Sequence, residues 1–344
     1  MSPRAGRYAR WILTGVIVVF LILFARTVDW TAAWHSIRTA SMPLVALSLA
    51  VNFLSVIVKG VRWWLFLKPA GSPSLALAIR ATIAGAGLNN VLVANGGDAA
   101  RVVFVSRATG IPSSTVLATL ALERLFDPVG FVILIVYGAV VFSLPPALER
   151  WRVPAEIALA LIAVLLLWFL NTARRAKSPV IAGDLANAPH GLWERFKRYV
   201  NVFAVSTRSL ATPQRFLGAL ALSMAAWILQ VLTFKYAGEA AHVPMSTAAS
   251  IATLIAINLG LLIRATPGNV GFFQFVFAVT AEQFGIPRND AIAVSLLIQT
   301  IQIIPVALIG VALAPEFIFK RARRAGSGAA AEESQKLSAA AREP

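Results

Sequence analysis

Glu123, Arg124 and Asp127 stand together in ALERLFDPVG (121–130), between the apolar runs STVLATLAL and FVILIVYGAVVF. On a helix, Glu123 and Asp127 are i,i+4 neighbours, and Arg124 and Asp127 are i,i+3 neighbours. Two carboxylates and a guanidinium so spaced can form a local ion pair, bind a charged headgroup, or take up and release a proton. An uncompensated charge in hydrocarbon costs at least about 2.5–3.5 kcal/mol, so such groups belong on a bundle interior or in a wet cavity. Two more polar segments interrupt apolar sequence: NGGDAAR (95–101), with Asp98 and Arg101, and RATPGNVGFFQ (264–274), with Arg264, Gly268, Asn269, Gly271 and Gln274. Arg101, Arg124 and Arg264 are candidate phosphate ligands, because the guanidinium fork matches phosphate oxygens. Arg101 and Arg107 read equally well as flanking charge, and Arg264 as a snorkelling helix end. Backbone amides at 95–98 and 268–271 would attract anions if they open half-helices, and Pro267 suits a first helical position. Asp98, Glu123 and Asp127 would then orient the arginines or bind a cationic headgroup. A protonatable Glu123 would couple movement to a proton gradient.

The elements that must position these groups are membrane helices. Of 344 residues, 58% are hydrophobic and 13% charged, with a mean hydropathy of +0.75. A soluble domain carries about 25% charged residues. Runs such as 11–24, 157–170 and 216–234 approach or reach the ~20 residues that cross a bilayer. This predicts an all-α polytopic membrane protein of about eight crossing or re-entrant helices plus broken segments; a β-barrel would alternate instead. The net charge of +16 sits between the apolar runs, as membrane orientation requires, and no nucleic-acid recognition module is visible. There are no cysteines and three scattered histidines, His35, His190 and His242. Disulfides and thiolate chemistry are excluded, and neither a metal site nor a cofactor is expected. Residues 1–24 resemble a signal peptide, but FARTVDW is a poor cleavage site, so a retained first helix is expected.

Charge bias places the N-terminus, a 59–73 loop, the 172–215 linker and the C-terminal tail in the cytoplasm of a cell-membrane protein. Between the two internal cytoplasmic loops, 114–144 and 155–171 supply two crossings after a helix at 42–58. Residues 74–112 must therefore enter and return on one side. Their glycines and asparagines fit a re-entrant or discontinuous helix pair. In the second half, 216–236, 247–264, 267–284 and 291–314 are read as four crossings. The layout is one transmembrane domain over 1–315, with repeat A at about 42–171, the linker at 172–215 and repeat B at about 216–315. A disordered cytoplasmic tail follows at 316–344. GLWERFKRYVNVF (191–203) reads as an interfacial helix on anionic lipid, or as a docking helix.

The repeat rests on GIPSSTVLATLALERLFD (110–127) and GIPRNDAIAVSLLIQTIQ (285–302), which share five of eighteen residues at an offset of 175. Ser113/Ser114 and Asn289/Asp290 are candidate helix caps. The offset also pairs Gly96 with Gly271, Arg124 with Gln299 and Asp127 with Gln302. Parity places the two Gly-Ile-Pro turns on opposite faces, so the repeats would be inverted, with a site near the midplane. Glu123, nine residues from Ser114, would lie ~14 Å into a ~30 Å core. A purely structural salt bridge, with Pro128 kinking the helix, is the simpler alternative. Asn52, Gln230 and Asn258 would bridge helices.

NGGDAAR, ERLFD (123–127) and TPGNVGFFQ (266–274) resemble the lysylphosphatidylglycerol synthase transmembrane, or flippase-like, family across most of residues 10–315. The resemblance implies a lipid transporter rather than an enzyme. The segments outside the apolar runs, 172–215 and 315–344, are too short for the soluble aminoacyltransferase domain of some members, so lysyl transfer is not expected of these residues. Val93, Ala94 and Asn95 replace a Pro and a basic residue common before the Gly-Asp, and Gln274 stands where a Glu is common. The expected function is movement of a lipid with a polar or phosphate headgroup, with substrate contacts from Asp98, Arg101, Glu123, Arg124, Asp127, Arg264, Gly268, Asn269, Gly271, Gln274, Gln299 and Gln302. The expected partners are a membrane lipid and the bilayer, with an enzyme partner open and nucleic acid excluded. The alternatives are a non-transporting partner of a lipid-modifying or glycosyltransferase enzyme, and an intramembrane headgroup enzyme using Glu123 and Asp127.

Overall fold

The computed structural model describes residues 30–71, 73–91, 96–142, 146–149, 213–260 and 271–313, with Asn269 and a few isolated positions between 153 and 164. The expected first helix at 11–24, most of the run 157–170, nearly all of the linker with its 191–203 segment, and the tail lie outside the described residues. Every described element is helical: α1 (Trp30–Arg38), α2 (Met42–Gly71), α3 (Leu75–Val91), α4 (Gly96–Thr109), α5 (Ser113–Val141), α6 (Pro146–Glu149), α7 (Pro213–Ala240), α8 (Thr247–Gly260), α9 (Phe272–Glu282) and α10 (Arg288–Leu313). Of these, α2, α5, α7 and α10 are long and apolar enough to cross a membrane.

Two expectations about elements change. The helix expected at 42–58 runs on to Gly71. Lys59 and Arg62 are therefore helical, and the 59–73 loop shrinks to the few residues before Leu75. The helix continues because VRWWLFL contains no breaker; Pro69 and Gly71 arrive only at its end. In the second half, α8 has 14 residues and α9 has 11. At 1.5 Å per residue they reach only ~21 Å and ~17 Å, short of a ~30 Å core. Among the described residues, the two expected crossings at 247–264 and 267–284 are represented by a pair of short helices.

Side-chain caps do not start α5. Pro112 occupies its N-cap position and no side chain caps it; Ser113 Oγ instead donates to Ser106 Oγ at 3.0 Å.

Two apolar cores form, one mainly in each half, with Ala219 of α7 joining the first and Leu134 of α5 the second. Trp63, Phe66, Leu67, Val105, Leu122 and Phe126 join α2, α4 and α5. Phe234, Leu254, Phe277, Ile292 and Ile298 join α7 to α10. The halves meet along α2 and α7. Ser48 Oγ donates to Thr233 O at 2.9 Å, Ser55 Oγ to Ala226 O at 3.4 Å, and Arg62 Nη1 to Ser223 Oγ at 2.8 Å. The partner number falls as the α2 number rises, so the two helices are antiparallel. Hydroxyls bonded to carbonyls satisfy polar atoms where lipid would not.

Glycine lets α3 make two close contacts. A Cβ on Gly97 would lie 1.9 Å from Gly85 O, and one on Gly85 would lie 2.4 Å from Arg101 Cγ. Only bare backbone allows α4 to seat against α3 while the Arg101 stem threads past. At the far side of α3, a Cβ on Gly87 would lie 2.6 Å from Gly310 Cα, so α3 and α10 touch backbone to backbone.

Candidate functional site

The polar groups of the first half converge from three helices. α2 contributes Lys59, Arg62 and Trp63, at i, i+3 and i+4, hence on one face. α4 contributes Asp98 and Arg101, and α5 contributes Glu123, Arg124 and Asp127. Glu123 Oε2 accepts from Arg101 Nη2 at 2.8 Å, and its Oε1 accepts from Arg62 Nη2 at 3.4 Å. Arg62 Nη2 also donates to Asp127 Oδ1 at 2.6 Å. Arg124 pairs with Asp98 on α4, and its approach to Asp127 is long, 3.9 Å. Glu123 is thus the hub between two arginines, and the local Arg124–Asp127 pairing is secondary to a bond between helices.

Burial grades across the cluster. The Arg62 side chain is 1% exposed and Arg101 6%, whereas Arg124 is 61% exposed. The Arg101 guanidinium lies 4.1 Å from the centroid of the Trp63 ring, a cation–π contact that helps hold a desolvated cation. Trp63 Nε1 in turn donates to Thr119 Oγ1 at 3.1 Å, and Arg101 Nη2 reaches Thr82 Oγ1 at 3.3 Å. Arg62 Nε and Arg101 Nε are buried with no hydrogen-bond partner, so even this dense network leaves donors over. Arg101 is therefore a buried member of the cluster rather than flanking charge.

These side chains line a cavity of about 600 Å³, whose opposite wall holds Phe131, Ala226, Trp227, Gln230 and Asn258 from α5, α7 and α8. A second cavity of about 250 Å³ shares Val56, Lys59, Ala86, Gln230 and Asn258 with it, and extends to Asn52, Asn90 and Gln302. The polar site thus lies between the halves. Asn52 Nδ2 reaches Ile301 O at 3.5 Å, a long contact from α2 to α10, and Asn258 bonds within its own helix, to Leu254 O at 2.8 Å.

The expected residues of the second half form a separate tie. Gln274 Nε2 donates to Gln299 Oε1 at 2.6 Å, with both side chains buried. Gln274 Oε1 accepts from Gly271 N at 2.6 Å and so caps α9. Gly271 (φ 84°) and Asn269 (φ 55°) are both left-handed, which turns the chain into that helix. Gln302 lines the smaller cavity. Arg264, Pro267 and Gly268 lie outside the described residues. The amides expected to cradle an anion are partly committed: Gly97 N donates to Asn89 Oδ1 at 2.9 Å, as Gly271 N does to Gln274. Asn89 also donates to Asp98 Oδ1 at 3.3 Å.

The sequence reading missed Arg62, Lys59, Trp63, Thr82 and Asn89. Arg62 and Lys59 were legible in one respect: residues 59–68 hold no proline and a single glycine, Gly60, which a helix tolerates, so the cations at i and i+3 stay on one helix face.

No solved structure matches the chain. A stretch of 160 residues is 28% identical to the UPF0104 membrane protein PH1989 of Pyrococcus horikoshii, covering 44% of this chain and 44% of that protein. The helical arrangement and that likeness describe a multi-pass membrane protein. The pattern of the lysylphosphatidylglycerol synthase TM region matches residues 11–310, a span that includes every helix carrying the ionic cluster. This chain belongs to the lysylphosphatidylglycerol synthase transmembrane-region family.

Proposed function

We propose that this protein moves a lipid with a polar or phosphate headgroup across the cytoplasmic membrane, without chemistry on the lipid. The observation that carries this reading is the ionic cluster lining a cavity of about 600 Å³ between the two halves. A bundle that needed only stability would fill that space: replacing buried ion pairs by apolar side chains is often neutral or stabilising by about 1–4 kcal/mol. A volume of roughly 300–1,000 Å³ is in the range of ligand sites.

Inverted repeats support the reading. α2 to α5 have 30, 17, 14 and 29 residues; α7 to α10 run long, short, short, long in the same order. Gly110 and Gly285, which precede α5 and α10, have φ of 77° and 76°. Asp98 and Gln274 are each the third residue of a short helix. Each bonds the twelfth residue of the following long helix, Arg124 or Gln299. The leading helices α2 and α7 are antiparallel, as inversion demands. Alternating access by rocking one repeat against the other follows from such symmetry. In this reading both termini are cytoplasmic, from the excess of Lys and Arg beside them. An intramembrane enzyme would need a carboxylate free to exchange protons; Asp98, Glu123 and Asp127 are each held by arginine.

The test is reconstitution of the purified chain into liposomes carrying fluorescent-headgroup lipids, with dithionite quenching as the readout. Wild type should expose inner-leaflet lipid to the quencher, and Glu123→Gln and Arg124→Ala should lose that activity while remaining folded. Absence of movement for every lipid, with and without a pH gradient, would turn the assignment toward a non-transporting partner of a lipid-modifying enzyme.

A further inference from the structure

We infer that Lys59 is the cation that holds the anionic phosphate group of the cargo, and that the three arginines are its frame rather than its ligands. The inference rests on the lipid-translocation reading and narrows it. The charged side chains lining the larger cavity are Lys59, Arg62, Arg101 and Arg124 against Asp98, Glu123 and Asp127. Each arginine has a carboxylate within 3.4 Å. The three guanidiniums and three carboxylates therefore cancel, and one positive charge is left. Lys59 carries it. No hydrogen bond or ion pair ties Lys59 to another residue among those described. The carboxylates of Glu123 and Asp127, which line the same cavity, are already bonded to Arg62.

Position agrees with charge. Lys59 lines both cavities and so stands where they join. Gln230 lines both as well, and Gln302 and Asn90 line the smaller one, so amide donors share the ammonium's cavities and can meet anionic oxygens there. An ammonium on a flexible stem is a point charge that can follow a moving phosphate, whereas a guanidinium locked to a carboxylate cannot. The apolar remainder of the lining, Val56, Phe131, Trp227 and Phe234, suits the glycerol backbone and first methylenes of a lipid.

Binding is measured on the full chain in detergent by native mass spectrometry, with three probes: phosphatidylglycerol, phosphatidylcholine and soluble glycerol phosphate. Losing one charge-assisted bond should weaken phosphatidylglycerol binding roughly tenfold to a hundredfold in Lys59→Gln. Lys59→Arg should retain most of it, and Lys68→Gln, an exposed lysine on the same helix, should match wild type. A second readout needs no variant: amine acetylation of Lys59 in the wild-type chain should be suppressed by phosphatidylglycerol and not by phosphatidylcholine. Lys59→Gln binding as tightly as wild type, or acetylation unaffected by phosphatidylglycerol, overturns the inference, and the liposome assay still decides translocation on its own. Lysine-dependent binding of glycerol phosphate equal to that of the lipid would keep the anion site and defeat the lipid reading. A wild-type chain that binds none of the probes defeats both.

Discussion

Glu123 is the residue on which the cluster depends. Its two oxygens face different arginines, and each arginine is nearly sealed from solvent. Glu123→Ala leaves Arg101 with Asp98 at 3.8 Å as its remaining carboxylate. The loss should be about 3–5 kcal/mol of stability, because a buried charge is left uncompensated, and denaturant unfolding in mild detergent would read it. Removing both charges should behave differently. Arg101→Met with Glu123→Met should recover at least half of the stability lost by Glu123→Met alone, while lipid movement stays absent. If the double variant still moves lipid, the pair is merely structural.

At the scale of elements, the two short-helix pairs differ in chemistry while sharing a bond pattern. α4 ties to α5 by Asp98–Arg124, and α9 ties to α10 by Gln274–Gln299. Importing the first tie into the second half tests that equivalence. Gln274→Glu and Gln299→Arg should each destabilise alone, and the double variant should show a favourable coupling of about 0.5–3 kcal/mol; purely additive losses would mean the two positions do not correspond. The α3–α10 crossing makes its own forecast. Gly87→Ala places a Cβ 2.5 Å from Val306 O, so the helices must separate, at a cost of about 1–3 kcal/mol, read as a lowered melting temperature. Part of this pattern is visible in the sequence. The 175-residue offset aligns the starts of α5 and α10, because a Gly-Ile-Pro turn leaves a local signature. It misaligns the short helices by one residue, Asp98 answering to Gln274 rather than Phe273, since register in a broken segment is set by packing across the bundle. Arg62 reads as a loop residue in the sequence because positive charge beside an apolar run looks like a membrane boundary. Only the carboxylates from α5, sixty-one and sixty-five residues away, make its burial tolerable.

At the scale of the molecule, the site lies on the seam between the two halves. Glu123, Arg124 and Asp127 could be singled out from sequence as candidates, because ionisable groups in apolar helix are conspicuous. The cavity could not, since its far wall comes from α7 and α8, whose contribution is mostly small, aromatic or amide side chains. The charge balance of that seam has an electrical meaning. Three fixed positive and three fixed negative groups, bonded to one another across α2, α4 and α5, form a unit on which the membrane voltage does no net work when it shifts as a body. Lys59 is the exception: an unaccompanied charge crossing the full field of 100 mV is worth about 2.3 kcal/mol. In the proposed translocation cycle, a site loaded with one phosphate is neutral overall and insensitive to voltage, whereas the emptied site with Lys59 protonated carries one charge. On that proposal the returning step, not the loaded one, is where the cell's electrical potential would enter.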